Sequence, residues 1–220
     1  MAATKEKKIT NWVLVALLAY FTALMIRITV QYIPVQTDVA FLQIKQSYIH
    51  IQPWFVCFYI HVYTSMFALL AGFTQFWPWL LQRYKRWHRS LGYVYIVTVV
   101  FISGPASLVM GWYANGGLGS RIAFLLLGTA WIFFTVKAWQ KAKDKDFTAH
   151  KRFMIRSYAL TLSAITLRAW KVLIVYAFEP RPMDAYRIVA WLGWVGNLLV
   201  AEYIIYRQLK KTTLISNPAT

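Results

Sequence analysis

The sequence predicts an all-α membrane protein with six transmembrane helices. Of its 220 residues, 59% are hydrophobic and only 14% are charged, whereas about 25% of the residues of a typical soluble domain are charged. Several stretches reach the roughly 20 apolar residues that cross a bilayer as a helix. Most of the charge lies in short loops between these stretches, which is typical of chains that cross a membrane repeatedly. We therefore expect one transmembrane domain over residues 1–220.

The six spans follow in order along the chain. Residues 12–32 form the first, which we expect to stay uncleaved because no small-residue cleavage site follows it. The polar segment 34–53, which carries His50, is predicted to lie on the outer surface as a short amphipathic piece. The other spans are predicted at residues 54–81, 90–112, 121–139, 150–178 and 186–209. Each is expected to be a continuous helix, which argues mildly against a transporter with helices broken at mid-membrane.

The basic residues predict the orientation of the chain. With the N-terminus inside, seventeen Lys and Arg residues lie on the inner side and four on the outer side, so both termini are expected to be cytoplasmic. The inner cations are Lys5, Lys7, Lys8, Arg83, Lys85, Arg86, Arg89, Lys137, Lys141, Lys143, Lys145, Lys151, Arg152, Arg156, Arg207, Lys210 and Lys211, and the outer ones are Lys45, Arg121, Arg181 and Arg187. The net charge of +17 therefore indicates orientation and contact with anionic membrane lipids, not nucleic acid.

His88 and His150 begin spans 3 and 5 at the same, cytoplasmic, level. Imidazole is a common ligand of haem iron, and two histidines from two helices can hold one haem from opposite faces. Arg89, Lys151, Arg152 and Arg156 would then be available to the haem propionates. The alternative is that both histidines belong to ordinary basic loops at the membrane interface.

A second polar region lies nearer the outer side. His61 is roughly 10 Å into span 2 by helical rise, and Arg168 lies on the face of span 5 that also carries His150. An ionisable residue within an apolar span usually faces a protein interior or a water-filled cavity. We expect His61 and Arg168 to shape an outer pocket for a quinone head group, a propionate or a lipid phosphate. A buried imidazole bound to a neighbouring hydroxyl is the alternative for His61.

Glu202 is the one acidic residue within a predicted span, toward the inner end of span 6. Arg207 follows on the same span, close to the membrane interface. We expect the two side chains to form a structural ion pair.

The motifs around these residues resemble a known family. At His88-Arg89-x-x-Gly92 and at residues 149–158 (AHKRFMIRSY), with Arg168 following, the sequence resembles six-span bacterial predicted membrane proteins with no assigned activity. The glycine-rich turn at residues 115–119 belongs to the same resemblance, which covers most of the chain from span 2 onward. It implies an integral protein of the bacterial inner (plasma) membrane.

The layout is also similar to the six-span b-type cytochromes that oxidise ascorbate, which hold two haems with four histidines on their central helices. This resemblance implies that His88 and His150 are the inner ligand pair and His61 an outer ligand. Span 4 has no histidine, so the pattern supports one bis-histidine haem.

The leading functional hypothesis is a redox protein that binds haem b or quinone and transfers electrons through a polar pocket in the bundle. Two alternatives stay open: an accessory or assembly subunit of a larger membrane complex or homo-oligomer, and a transporter or lipid-modifying enzyme with an anionic substrate at Arg168. The sequence has no phosphate-binding loop, nucleophile elbow or HExxH motif, which argues against ATP-driven and hydrolytic chemistry. The single Cys57 excludes an internal disulfide and a cysteine metal cluster.

Overall fold

The computed structural model describes residues 2–76 and 78–216, and the side chains of residues 15–17, 19–76 and 80–210. Within these residues the chain is helical and contains no strand, which confirms the predicted fold class. The chain divides into two compact units, Met1–His50 and Ile51–Thr220. The predicted inner cations Lys5, Lys7, Lys8 and Lys211 lie outside the described side chains.

The first unit consists of helix α1 (Ala2–Val30), which covers most of the first predicted span, and a short 3-10 helix, Ala40–Lys45, in the predicted surface segment. Lys45 is only 2% exposed. Its ammonium nitrogen lies 4.7 Å from the centre of the Tyr48 ring, and the negative face of that ring stabilises the charge.

The described residues of the second unit form eight α-helices and one π-helical segment, Thr98–Ser103, which joins α4 directly to α5. The helices are α2 (Gln52–Gln75), α3 (Pro78–Arg83), α4 (Lys85–Val97), α5 (Gly104–Trp112), α6 (Leu118–Lys143), α7 (Phe147–Thr161), α8 (Ser163–Phe178) and α9 (Pro182–Ser216). Four described segments are long and apolar enough to cross a membrane: α2, the α4–α5 rod, α6 and α9. The bent pair α7 and α8 makes a fifth if it is counted as one span.

The prediction that every span is a continuous helix is wrong in two places, and in a third span the helix continues through a π-helical segment. The predicted span 54–81 stops at Gln75, and Pro78 begins the separate helix α3, because proline has no amide hydrogen to continue the ladder. In the next span the π-helical segment precedes Pro105. Pro105 cannot donate to the carbonyl of Phe101, and the extra residue per turn accommodates that loss.

The second break divides span 5 at Leu162, where α7 and α8 meet at an angle of 42°. No proline or glycine causes it. Instead, Thr161 donates its hydroxyl to the carbonyl of Ser157 (3.2 Å). The hydroxyl of Thr166 lies 3.3 Å from the carbonyl of Leu162 and closer, at 2.5 Å, to the carbonyl of Gly193 on α9. Side chains that hydrogen-bond the preceding turn in this way weaken and bend a helix. This span is therefore broken near its middle, as the spans of many transporters are.

Helix α9 stabilises this break. Asn197 donates its amide nitrogen to the carbonyl of Ala159 (2.9 Å), which the amide of Ser163 would bind in an unbroken helix. The same nitrogen lies 3.0 Å from the hydroxyl of Thr166, and that hydroxyl also contacts the carbonyl of Gly193. Thus a polar side chain of one helix satisfies a backbone group freed in another.

We expect Asn197→Leu to lower the thermal unfolding temperature of the detergent-purified protein. The substitution removes two interhelical hydrogen bonds, each worth about 0.6 and at most about 1.7 kcal/mol in membrane proteins. Gln140→Leu, which replaces an exposed amide on α6, should leave the unfolding temperature close to that of the wild type. Equal unfolding temperatures for the wild type and Asn197→Leu would contradict this role of Asn197.

The core of the second unit lies where α2, α4, α6 and α7 meet. Tyr95, Trp131, Tyr158 and Leu160 are among its buried members. Gly72 of α2 lies against two of these rings, since a Cβ at its position would stand 2.5 Å from ring carbons of Tyr158 and 2.9 Å from Tyr95. A small residue at this point allows two tyrosines to pack directly on the α2 backbone.

Candidate functional site

His88 and His150 lie in the first turns of α4 and α7, at the end of the second unit that carries the basic loops; we call it the basic end (residues 83–89 and 137–152). Asp146 caps α7 by accepting from the amide of Ala149 (3.0 Å). Both imidazoles are half-buried, and they are close enough to interact electrostatically. The structure thus brings together the two histidines that the sequence singled out.

One hydrogen bond orients His150. Its Nδ1 lies 2.9 Å from the backbone carbonyl of Ala138 on α6. A carbonyl only accepts, so Nδ1 carries the proton and Nε2 keeps its lone pair. Metal-ligating histidines are usually held in this way, by a carbonyl that binds the nitrogen not facing the metal.

His88 is held by Gln75, the last residue of α2. With the amide placed to satisfy both of its atoms, the Gln75 nitrogen lies 3.2 Å from His88 Nδ1 and 3.3 Å from the His88 carbonyl, and its oxygen accepts from Gly92 (3.3 Å). In that arrangement His88 Nδ1 accepts and Nε2 bears the proton. In the opposite orientation the amide oxygen of Gln75 accepts from a protonated Nδ1, and the lone pair of His88 is on Nε2. The Gln75 amide therefore selects the tautomer of His88.

The four predicted propionate partners differ in their surroundings, and Lys151 is exposed. Arg89 is exposed and Arg152 is half-buried at the basic end. Arg156 donates Nε to one oxygen of Glu202 (2.5 Å) and a terminal nitrogen to the other (2.8 Å), and its guanidinium lies 5.5 Å from the Phe153 ring centre. Arg156 already has a bidentate carboxylate partner, so Arg89 and Arg152 are better placed for a further anion.

The expected pair of Glu202 with Arg207 is wrong. Five residues on a helix place two side chains about 140° apart, whereas Arg156 of α7 approaches Glu202 directly. Arg207 instead donates to the hydroxyl of Tyr203 (3.1 Å).

A closed cluster of hydroxyl groups lies in the centre of the second unit. The Tyr95 hydroxyl is 2.7 Å from Ser157 Oγ and 2.8 Å from Thr161 Oγ1. Thr135 Oγ1 is 2.7 Å from Ser157 Oγ, and the Trp131 indole donates to Thr161 (2.9 Å). These buried groups satisfy one another, as polar atoms inside a membrane must. We refer to Tyr95, Thr135, Ser157 and Thr161 as the hydroxyl cluster.

The hydroxyl cluster lies two helical turns farther from the basic end than the histidine pair, on the same helix faces. Tyr95 follows His88 by seven residues and Ser157 follows His150 by seven, which is two helical turns or roughly 10 Å in each case. Thr135 precedes by three residues Ala138, whose carbonyl accepts from His150. The cluster therefore fixes the spacing of the three helices that position the two imidazoles.

We expect Tyr95→Phe to lower the free energy of unfolding by roughly 1–3 kcal/mol, because it removes two interhelical hydrogen bonds without changing the ring. Thermal unfolding in detergent measures the effect. Tyr93→Phe is the matched control, since the Tyr93 side chain is 55% exposed. If both variants unfold at the wild-type temperature, the hydroxyl cluster contributes no stability.

His61 and Arg168 lie toward the opposite end of the second unit, which we call the distal end (residues 112–121 and 178–187). His61 Nδ1 is 3.0 Å from both the carbonyl and the hydroxyl of Ser103, in the π-helical segment. The His61 ring meets Trp131 edge-on at 6.4 Å, and Arg168 is close enough to act on it electrostatically. Arg168 itself is exposed and donates to the carbonyl of Ala164 (2.6 Å). The structure thus gives His61 the hydroxyl partner that the alternative hypothesis expected and places Arg168 on an exposed face of α8, and the common outer pocket stays a prediction.

Within the described side chains, no three His, Cys, Asp or Glu residues come together in a way that could hold a metal ion. A bare metal centre built from side chains alone therefore lacks a ligand set in this part of the chain. Haem has a lower requirement, because the porphyrin supplies four nitrogen ligands and the protein needs to add only two.

Sequence reasoning missed Gln75, Ser103 and the hydroxyl cluster as partners of these sites. The available signal for Gln75 was its position on the same face of α2 as His61 and Gly72, which indicated an inward direction but no partner. For Ser157 and Thr161 it was the polar stripe that runs from His150 to Arg168. Neither signal identifies the facing helix.

A family model described as "Predicted membrane protein (DUF2306)" matches residues 58–205. The match includes both histidine regions, the hydroxyl cluster and the break at Leu162. No curated protein matches the chain significantly. The same holds for solved structures.

Proposed function

The chain belongs to the DUF2306 family of predicted membrane proteins, and from this premise we propose that it is a membrane electron-transfer protein that binds haem b at the basic end. His88 and His150 would be the axial ligands. The protein would work in the bacterial inner membrane with both termini cytoplasmic.

The observation that carries the proposal is the paired imidazoles on two different helices. His150 has its Nδ1 bound to the carbonyl of Ala138, so Nε2 offers a lone pair. For His88 to offer the same lone pair, the Gln75 amide would have to turn over and accept from Nδ1, giving up its hydrogen bonds to the His88 carbonyl and to the amide of Gly92. His150 thus supports bis-histidine ligation directly, and His88 would support it once the Gln75 amide turned.

Bound haem would supply one-electron chemistry. The residues of this chain would hold it: the two imidazoles as ligands, and Arg89 and Arg152 as cationic partners of the propionates. The hydroxyl cluster would keep the ligand helices at a fixed distance. Its members are uncharged hydroxyl groups, so the cluster would place no buried charge near the iron when the iron is oxidised or reduced.

A quinone is the redox partner that best suits the distal end. Ser103 presents an acceptor carbonyl and a hydroxyl to His61 at equal distance, so His61 can adopt either neutral tautomer. Its Nε2 can then donate to a quinone carbonyl or accept from a quinol hydroxyl. Arg168 adds a cation beside it. We propose this region as the quinone site.

The first test is the absorption spectrum of the full-length protein purified in detergent from haem-replete cells. We expect a Soret band and sharp bands on reduction with dithionite, as for a low-spin b-type haem. A colourless protein, or a spectrum that does not change on reduction, would contradict the proposal.

A second candidate function is transport or modification of an anionic substrate at Arg168. The break at Leu162 favours it, because broken helices near mid-membrane often present backbone groups to a substrate. A colourless protein would favour this candidate. Co-purification of other membrane proteins after mild solubilisation would instead favour the accessory-subunit hypothesis.

A further inference from the structure

A cavity of about 790 Å³ lies at the distal end, between the start of α6 and the first half of α9. Gly119, Ser120 and Arg187 line one part of it, and Ile188, Trp191 and Val195 line another. We propose that this cavity binds an anionic membrane phospholipid, with the phosphate at the start of α6 and an acyl chain along α9. The site is separate from both histidine regions and does not depend on haem.

The start of α6 provides backbone donors. Gly117 precedes the helix with φ 82° and ψ −166°, a conformation that favours glycine, and no side chain caps the helix. The first amides of α6 therefore have no acceptor within the helix, and this end carries the positive end of the helix dipole. A Cβ at Gly119 would meet no atom within 4 Å, so an anion can approach these amides closely.

Ser120 is an independent indication of a ligand. Its side chain is only 1% exposed, and its hydroxyl has no hydrogen-bond partner in the described part of the chain although it lines the cavity. A buried polar group left without a partner costs about 1–3 kcal/mol. A phosphate oxygen in the cavity would accept from this hydroxyl and remove that cost.

Arg187 adds positive charge at the same place. Its Nε donates to the carbonyl of Gly116 (3.0 Å), which ties α9 to the turn before α6. The nearest carboxylate is that of Asp184, 3.4 Å from a terminal nitrogen of Arg187, but Asp184 is also bound by Arg181 at 2.7 Å. One carboxylate shared by two guanidinium groups leaves a net positive charge, and the planar guanidinium suits phosphate.

The apolar part of the cavity favours a lipid over free phosphate. From Arg187 to Val195 the wall follows α9 for eight residues, or roughly 12 Å. A free phosphate needs no such surface, whereas an acyl chain packs along it. The distal end also carries three of the four cations that the sequence places outside: Arg121, Arg181 and Arg187. Cations at the membrane interface attract anionic lipid head groups.

The test compares ligands and variants by thermal unfolding of the full-length protein in neutral detergent. Phosphatidylglycerol, phosphatidylcholine and inorganic phosphate are added separately, and native mass spectrometry counts bound lipid. The variants are Arg187→Gln and Ser120→Ala. Arg181→Gln is the matched control, because Arg181 also binds Asp184 but its side chain is 87% exposed and does not line the cavity.

We expect phosphatidylglycerol to raise the unfolding temperature of the wild type and of Arg181→Gln by several degrees. The shift should fall by at least half in Arg187→Gln and Ser120→Ala, with loss of one bound lipid. If Arg187→Gln fails to fold, Ser120→Ala decides the test, since it removes only an unpartnered hydroxyl. Equal shifts in all four proteins, or an equal shift with phosphatidylcholine, would overturn the proposal. Inorganic phosphate that gives the full shift would overturn the lipid assignment in favour of free phosphate.

Discussion

Purified His150→Ala and His88→Ala variants should each lose the Soret band and the reduced bands expected of the wild type. Each substitution removes one of two axial ligands, and a haem held by the remaining imidazole would be high-spin or lost during purification. The imidazole of His150 also anchors α7 to the carbonyl of Ala138, so we expect a modest loss of stability with it.

The control for this experiment is His50→Ala. His50 is exposed and lies before α2, so its loss should leave the spectrum unchanged. His61→Ala should also retain the haem bands, because the proposal places His61 at the distal end. If His88→Ala and His150→Ala keep the full wild-type spectrum while His61→Ala loses it, the ligand assignment is wrong.

Gly72→Ala should destabilise the protein, whereas Gly196→Ala should not. An alanine is favoured over glycine within a helix by roughly 1 kcal/mol, and both residues lie within helices. At Gly196 the new Cβ meets no atom within 4 Å, but at Gly72 it would stand 2.5 Å from ring carbons of Tyr158 and 2.9 Å from Tyr95. Overpacking of this kind costs about 1–3 kcal/mol.

The displaced rings would disturb further contacts. Tyr158 donates its hydroxyl to the carbonyl of Leu69 (3.2 Å), and Tyr95 belongs to the hydroxyl cluster. We therefore expect Gly72→Ala to unfold at a clearly lower temperature in detergent, and Gly196→Ala at or above the wild-type temperature. The same ranking should appear in the fraction of protein that elutes as a single species. A Gly72→Ala protein as stable as Gly196→Ala would mean that the two tyrosines do not pack on α2 as described.

Much of the fold and part of the candidate site could be predicted from the sequence. Apolar length and basic loops predict spans because the bilayer imposes both. His88 and His150 could be singled out because each heads a span at the same level. In contrast, the partner of Glu202 depends on which face of α7 meets α9, and the role of Gln75 depends on how α2 packs against α4. Such contacts between distant residues leave no mark in local periodicity.

The helix breaks also differ in how far the sequence predicts them. Pro78 and Pro105 are visible in the sequence, and a proline predicts that a helix ends or is distorted nearby. The break at Leu162 has no such marker, since serine and threonine are common in membrane helices and bend them only in a suitable environment. Here that environment is provided by Asn197, whose amide is 38 residues away from Ala159 in the chain. The Asn115–Gly119 turn likewise predicted a loop, but not the unpartnered hydroxyl of Ser120 beside it.

The break at Leu162 also changes which helices the two halves of span 5 pack against. Helix α8 packs mainly on α9, where the backbone of Gly193 lies against Leu167 so closely that a Cβ would stand 2.9 Å from it. The half of span 5 that carries Arg168 is thus packed against the last helix of the chain more than against the half that carries His150. Helix α9 also binds α7 on the other side of the break, through Asn197 at the carbonyl of Ala159 and through Glu202 at Arg156. The last helix of the chain therefore holds both halves of the bent span at their angle and links the half that carries His150 to the half that carries Arg168.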